Sequence, residues 1–220
     1  MKKIFSLIAL MALIVSCGGT QSYKIDGTVS AEGFADGDTI SLGYSVDGAS
    51  YTPESYAVIK DGKFEFSGNV ENSKLYYLVN HKTEEPLVIL FLEGGNIKAN
   101  IDNEKNEVTG TNSNDIYTEL QGNLYTYFSQ LQEKQIALYM DTTLTEEQRE
   151  SVLNELQTLS EKASEVAREF VTKNVETLPG LFILVQCANM FDDEEFDALV
   201  AQVPENLKDE SNNCLYSVLL

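Results

Sequence analysis

The residues best suited to chemistry are three cysteines (Cys17, Cys187, Cys214), one histidine (His81) and the acidic run Asp192-Asp193-Glu194-Glu195 with Asp197 beside it. Cysteine offers a nucleophile or a disulfide, histidine a general base, and clustered carboxylates a hard-cation site. None is set in the pattern its chemistry requires. The five acids lack the alternating spacing and the glycine of a calcium loop. They precede an apolar-periodic stretch, where a helix start favours negative charge, so capping is their expected role. His81 stands in a polar stretch beside Lys82 and Glu84, with no second histidine and no nucleophile motif to serve. The sequence contains no Cys-x-x-Cys, the signature of a dithiol redox centre. Cys187 lies in the apolar run Leu181 to Cys187, where a thiol acts as a small hydrophobe. Unpaired thiols at Cys187 and Cys214 are therefore expected, with a disulfide in an oxidising compartment as the alternative. Gly94-Gly95 sits between two strand patterns, which predicts a hairpin turn rather than a phosphate cradle at a helix start. Tyr44, Tyr51, Tyr56, Tyr76 and Tyr77 suit strand packing, or stacking on sugars or peptides. No catalytic residue, cofactor or metal ligand is assigned, and a non-catalytic module is the expectation.

Cys17 has a different context. The chain opens Met1-Lys2-Lys3, followed by an apolar run from Ile4 to Val15 broken only by Ser6. A charged start, an apolar stretch of this length and a small residue at its end make an export signal. The run is too short for a membrane-spanning helix, which needs about 20 apolar residues. Ile14-Val15-Ser16-Cys17 resembles the bacterial lipobox, in which small side chains admit the peptidase and the thiol takes a diacylglycerol. Residues 1–16 are thus read as a lipoprotein signal, Cys17 as the lipidated residue and 17–22 as a short tether. More than one acyl chain makes such an anchor stable. The expected location is the bacterial outer membrane, facing the periplasm because no acidic cluster follows the cysteine, with exposure on the cell surface as the alternative.

The formal charge is −20, from 35 acidic and 15 basic residues, and loss of Lys2 and Lys3 with the signal takes it two units further. A body this acidic repels nucleic acid and anionic headgroups. Contact with the bilayer is expected through lipid at Cys17, and no nucleic-acid partner is expected.

Two periodicities divide the chain near residue 112. Before it, short segments alternate apolar and polar positions, with turn signals between them. They are Tyr23 to Val29, Ile40-Leu42-Tyr44, Tyr56 to Lys60, Phe64-Phe66, Leu75 to Val79, Leu87 to Leu92, Ile97 to Ile101 and a short strand near Val108. Asp61-Gly62 is the strongest hairpin signal, since both positions need positive φ. Leu87 to Leu92 is apolar throughout, which predicts a central strand. The predicted fold class is α+β: an antiparallel β-sandwich or open barrel over 23–111, then a helical region over 112–220. In the latter, Asn114 is a candidate N-cap. Tyr117, Leu120, Leu124, Tyr127 or Phe128, and Leu131 form one helix face. Thr145 to Gln148 is a capping box opening a second long helix, which predicts an antiparallel hairpin. Pro179-Gly180 begins a shorter apolar helix, and Asp192 caps another that stops before Pro204.

Five motifs occur in order: Tyr23-x-Ile25-x-Gly27-x-Val29, Asp36-Gly37-Asp38-x-Ile40-x-Leu42, Gly62-x-Phe64-x-Phe66-x-Gly68-x-Val70, Leu92-Glu93-Gly94-Gly95-x-Ile97 and Val108-Thr109-Gly110-Thr111-x-x-Asn114-Asp115. Together they resemble the N-terminal domain of unknown function that precedes a thioredoxin-like, AhpC/TSA-type domain in many bacterial lipoproteins. The resemblance covers roughly residues 23 to 205. It implies a thioredoxin-like or other envelope protein as partner. Redox-active members carry Cys-x-x-Cys in the following domain, which is expected to be missing here, the sequence stopping at Leu220 where it would begin. Cys187 and Cys214 do not match those cysteines. Three readings follow: a lipid-anchored binding module, a truncated or split relative of a thiol–disulfide interchange lipoprotein, and a glycan-binding lipoprotein.

Overall fold

A computed structural model describes residues 20–45 and 51–208. The signal segment, Cys17 and Cys214 lie outside the described residues.

Eight strands form two four-stranded sheets: β1 Gln21–Val29, β2 Thr39–Ser45, β3 Tyr51–Val58, β4 Lys63–Val70, β5 Lys74–Asn80, β6 Pro86–Leu92, β7 Gly95–Ile101 and β8 Glu107–Thr109. One sheet has the order β4-β1-β7-β8 and the other β3-β2-β5-β6, and they do not close into a barrel. Alternation places Ile25, Ile40, Leu42, Leu78, Leu90 and Ile97 between the sheets, all fully buried. Helices follow: α1 Asn112–Met140, α2 Glu146–Asn174, α3 Leu178–Gln186, α4 Asp193–Gln202 and the single turn α5 Glu205–Lys208. The fold is α+β, as the two periodicities predict.

Pairing departs from the expectation in four places. The sandwich is not wholly antiparallel: β1 pairs with β4 antiparallel and with β7 parallel. A direct hairpin forces antiparallel neighbours, but β1 and β7 are joined by way of the opposite sheet, which frees their relative direction. Asp61 and Gly62 do take positive φ, 51° and 68°, and Lys60 and Lys63 exchange backbone hydrogen bonds of 2.9 and 3.0 Å. The strands then part, β3 to one sheet and β4 to the other. The Gly94-Gly95 segment is likewise no hairpin, since it carries the chain from β6 in one sheet to β7 in the other. Finally, β6 is an edge strand. It is apolar on both faces because each face has its own core. Leu90 and Leu92 enter the sandwich, while Phe91 enters a second cluster with Leu120, Val171, Leu181, Phe182 and Leu184.

The helical region is built on that second cluster. Thr145 and Gln148 complete the capping box on α2, and Asp192 and Glu195 a second one on α4. Thr177 caps α3, accepting from Gly180 N at 3.2 Å. Gly180 also lets α3 press on the end of α2, for a Cβ there would stand 1.8 Å from Asn174 O. Arg168 ties α2 to α4 by donating two bonds to Glu195, at 2.9 and 2.8 Å, and its guanidinium lies over the Phe191 ring.

Candidate interaction surface

Helix α1 is held at its base by polar groups of the sandwich. Asn114 is not its N-cap; Thr111 holds that position, and its side chain accepts no bond from the helix backbone. The Asn114 side chain turns inward, is 1 % exposed, and reaches the open edge of β6. Its Oδ1 accepts from Phe91 N at 2.9 Å, and its Nδ2 donates to Phe91 O at 2.9 Å and to Thr111 Oγ1 at 2.8 Å. One amide side chain so replaces the strand that β6 lacks at this residue. The Glu93 carboxylate accepts from Ser113 N at 2.8 Å and Ser113 Oγ at 2.7 Å, serving one free amide of the helix start. Phe91 meets Tyr117 and Phe182 edge-on, with ring centroids 5.2 and 6.1 Å apart.

From this base α1 runs 29 residues, about 43 Å at the α-helical rise. Helices α1 and α2 pack along each other, and the face of α1 formed by Leu120, Leu124, Tyr127, Leu131 and Leu138 is shielded from solvent, fully only at Leu120. The flank beside that face is open. Tyr125, Phe128, Ile136 and Tyr139 are 54 to 83 % exposed, with Gln132 exposed among them. Of the two candidates Tyr127 and Phe128, the structure turns Tyr127 into the crevice with α2 and leaves Phe128 outside. Between Leu120 and Met140 the only charged residues are Glu133 and Lys134, and Lys134 pairs with Glu155 of α2. Helix α2, by contrast, exposes Glu146, Glu147, Glu150, Glu155, Glu161 and Glu165. Four large apolar side chains exposed along one flank stand out on so acidic a chain, and exposed apolar patches mark interaction sites. Nearer the base, α1 and α2 enclose a crevice of about 330 Å³ between Leu120, Tyr127, Val166 and Phe170.

Residues 23–117 match the family model of a domain of unknown function (DUF4369). The DUF4369 match runs past Thr111 and takes in Asn114 and Tyr117, so it covers the sandwich from Tyr23 onward and the start of α1. Comparison with curated proteins finds no match to the chain.

The other residues singled out by type are dispersed. His81 is exposed and stands edge-on to Tyr56, with ring centroids 5.0 Å apart. Asp192 caps α4, and Asp193, Glu194 and Glu195 fill its first turn. Among the described residues, no group of three or more His, Cys, Asp or Glu side chains is placed to hold a metal. No helix of the described residues is long and apolar enough to cross a membrane. Cys187 is half-buried, and burial pushes its thiol above the ordinary value, which lowers its thiolate fraction.

The strand tyrosines do not share a face. Tyr76 points into the sandwich, 4 % exposed, packs near Tyr44 and donates to Glu54; Tyr77 follows it on the opposite face. Burial raises the hydroxyl pKa of Tyr23, Tyr51, Tyr76 and Tyr117 above 10, and at Tyr76 the bond to Glu54 raises it further. An acid whose folded pKa is raised lends stability that is complete below its unfolded value, near pH 10, and lost as pH climbs beyond it. Absorbance titration at alkaline pH should accordingly show these tyrosines ionising late and together with unfolding. Eleven tyrosines titrating as one set near pH 10, in a chain still folded, would contradict that.

Proposed function

We propose that this chain is a lipid-anchored, non-catalytic module of the bacterial cell envelope that engages a protein through the outer flank of α1. The observation that carries the reading is the exposed set Tyr125, Phe128, Ile136 and Tyr139 along one flank of α1, on a chain of formal charge −20. The anchor rests on Ile14-Val15-Ser16-Cys17 at the end of an apolar export signal. The geometry suits such an anchor. Strand β1 starts at Gln21, four residues after Cys17, a reach of about 14 Å when extended. Gln21 lies against Gly94, and Gly95 touches Thr111 at the start of α1. Gln21, the first residue of β1, and the base of the helical hairpin therefore share one end of the sandwich. An outer-membrane position facing the periplasm is the proposed location.

The test is Cys17→Ser, followed by detergent-phase partitioning and labelling with a fatty acid in growing cells. The wild-type chain should take the label and enter the detergent phase, and the variant should do neither. An unlabelled wild-type chain, or a variant that stays with membranes, overturns the anchor.

A further inference from the structure

We propose that the outer flank of α1 is a self-pairing surface, on which a second copy of this chain docks antiparallel about a two-fold axis through Gln132. The proposal deepens the interaction reading above, on which it rests, by naming the partner.

The spacing of the flank carries it. Its residues are Tyr125, Phe128, Gln132, Ile136 and Tyr139, separated by three, four, four and three positions. At about 100° per residue they fall within an arc of roughly 80°. The pattern is its own mirror image about Gln132. Laid antiparallel on a second copy, Tyr125 faces the partner's Tyr139, Phe128 faces the partner's Ile136, and Gln132 faces the partner's Gln132. That self-complementarity is what an isologous two-fold contact requires. At the axis, each glutamine amide offers both a donor and an acceptor to its copy. A single polar residue in an apolar seam fixes register.

Charge selects the same face. Two copies of formal charge −20 repel wherever acid meets acid, and the exposed face of α2 would bring rows of glutamates together. The five flank residues of α1 carry no charge at all. Antiparallel pairing also sets the helix dipoles head to tail and holds the two acidic sandwiches at opposite ends. With the axis along a bilayer normal, both Gln21 ends stand at equal height, so two anchored copies can pair on one membrane. The seam spans about 21 Å, less than the contact of a standard interface, so the dimer is weak and reversible.

Sedimentation equilibrium of the purified chain tests this, with Phe128→Lys, Ile136→Glu and the double variant beside the wild type. All substituted positions are exposed, so helix content by circular dichroism should not change. The wild type should show a concentration-dependent dimer, and each single variant should bind its copy at least tenfold more weakly. In the double variant the introduced lysine of each copy faces the introduced glutamate of the other, so two ion pairs form across the axis. It should associate more tightly than either single variant. Parallel pairing would instead put like charge on like. A wild type monomeric to millimolar concentration overturns the proposal. So does a single variant that dimerises like the wild type, or a double variant weaker than both singles. Sedimentation does not depend on acylation, so failure here leaves the Cys17 result standing. Cross-linking of α1 in cells to a different envelope protein, with a monomer in sedimentation, sinks self-pairing and keeps the interaction reading.

Discussion

Asn114→Leu should lower the stability of the folded chain by about 3 to 5 kcal/mol, the largest loss expected from any single polar side chain here. The side chain is 1 % exposed and makes three hydrogen bonds, two of them to the backbone of Phe91. Leucine keeps the branched skeleton and leaves no cavity, but its methyl groups are bulkier, so overpacking adds to the loss of the polar contacts. Phe91 N and Phe91 O would both be buried without a partner, and each unsatisfied group costs about 1 to 3 kcal/mol. Asn114→Asp is the sharper companion. It keeps an acceptor for Phe91 N but turns a second acceptor toward Phe91 O, and buries a charge besides. Aspartate should therefore destabilise at least as much as leucine, although it is nearly isosteric with asparagine. Urea denaturation followed by circular dichroism reads both changes. A loss below about 1 kcal/mol for leucine would mean that the β6 edge finds other partners.

Phe91→Ala should cost a further quantity of the same size, about 3 to 5 kcal/mol, by a different route. Phe91 is fully buried and is among the largest side chains so placed. It is the one β6 residue that enters the helical cluster as a fully buried member, between Tyr117 of α1 and Phe182 of α3. Alanine leaves a cavity between sheet and helices and removes two edge-to-face ring contacts, each worth about 0.5 to 1.5 kcal/mol. Phe91→Leu, which fills most of the space, should recover more than half of the loss. Because Asn114 holds the backbone of the residue whose ring fills the joint, the two effects are not independent. The double variant Phe91→Ala with Asn114→Leu should lose less than the two single losses added. Strict additivity in that cycle would show that the edge bond and the ring contact stabilise separate parts of the molecule.

The joint explains how a sandwich and a helical hairpin become one structure. A sheet edge left open next to an apolar surface invites pairing with another chain. Here the edge is closed by a side-chain amide at Phe91, and at Leu87, whose carbonyl accepts from Asn106 Nδ2 at 2.8 Å. One of these groups, Asn114, sits in the first turn of α1, so the start of the helix is tied to the place where the sheet ends. The DUF4369 match ends just beyond these residues, which places the joint inside the matched span. The outer flank of α1 lies beyond it.

Local chemistry was written in the sequence, and the structure follows it closely. The Asp61-Gly62 turn, the capping boxes at Thr145 and Asp192, and the strand alternation of Phe64 and Phe66 each depend on residues within a few positions of one another. The break between sheet and helix near residue 112 is of the same kind, a change of period from two to 3.6. The anchor proposed at Cys17 is read from neighbouring residues too, and it lies outside the described residues. What tertiary structure alone decided is which surface covers each face. Leu87 to Leu92 is apolar on both sides, a pattern shared by a central strand and by an edge strand between two cores. Only the position of the helices distinguishes them. Asn114 looks like an ordinary cap by type and position, and its role changed because the edge it serves lies 23 residues earlier in the chain. The apolar residues of α1 exceed what one packing face can hold, and period alone cannot tell Tyr127, turned toward α2, from Phe128, turned to solvent. Periodicity is set by the backbone next door, whereas burial is set by partners far away in sequence; that difference is why the elements were legible early and the exposed flank was not.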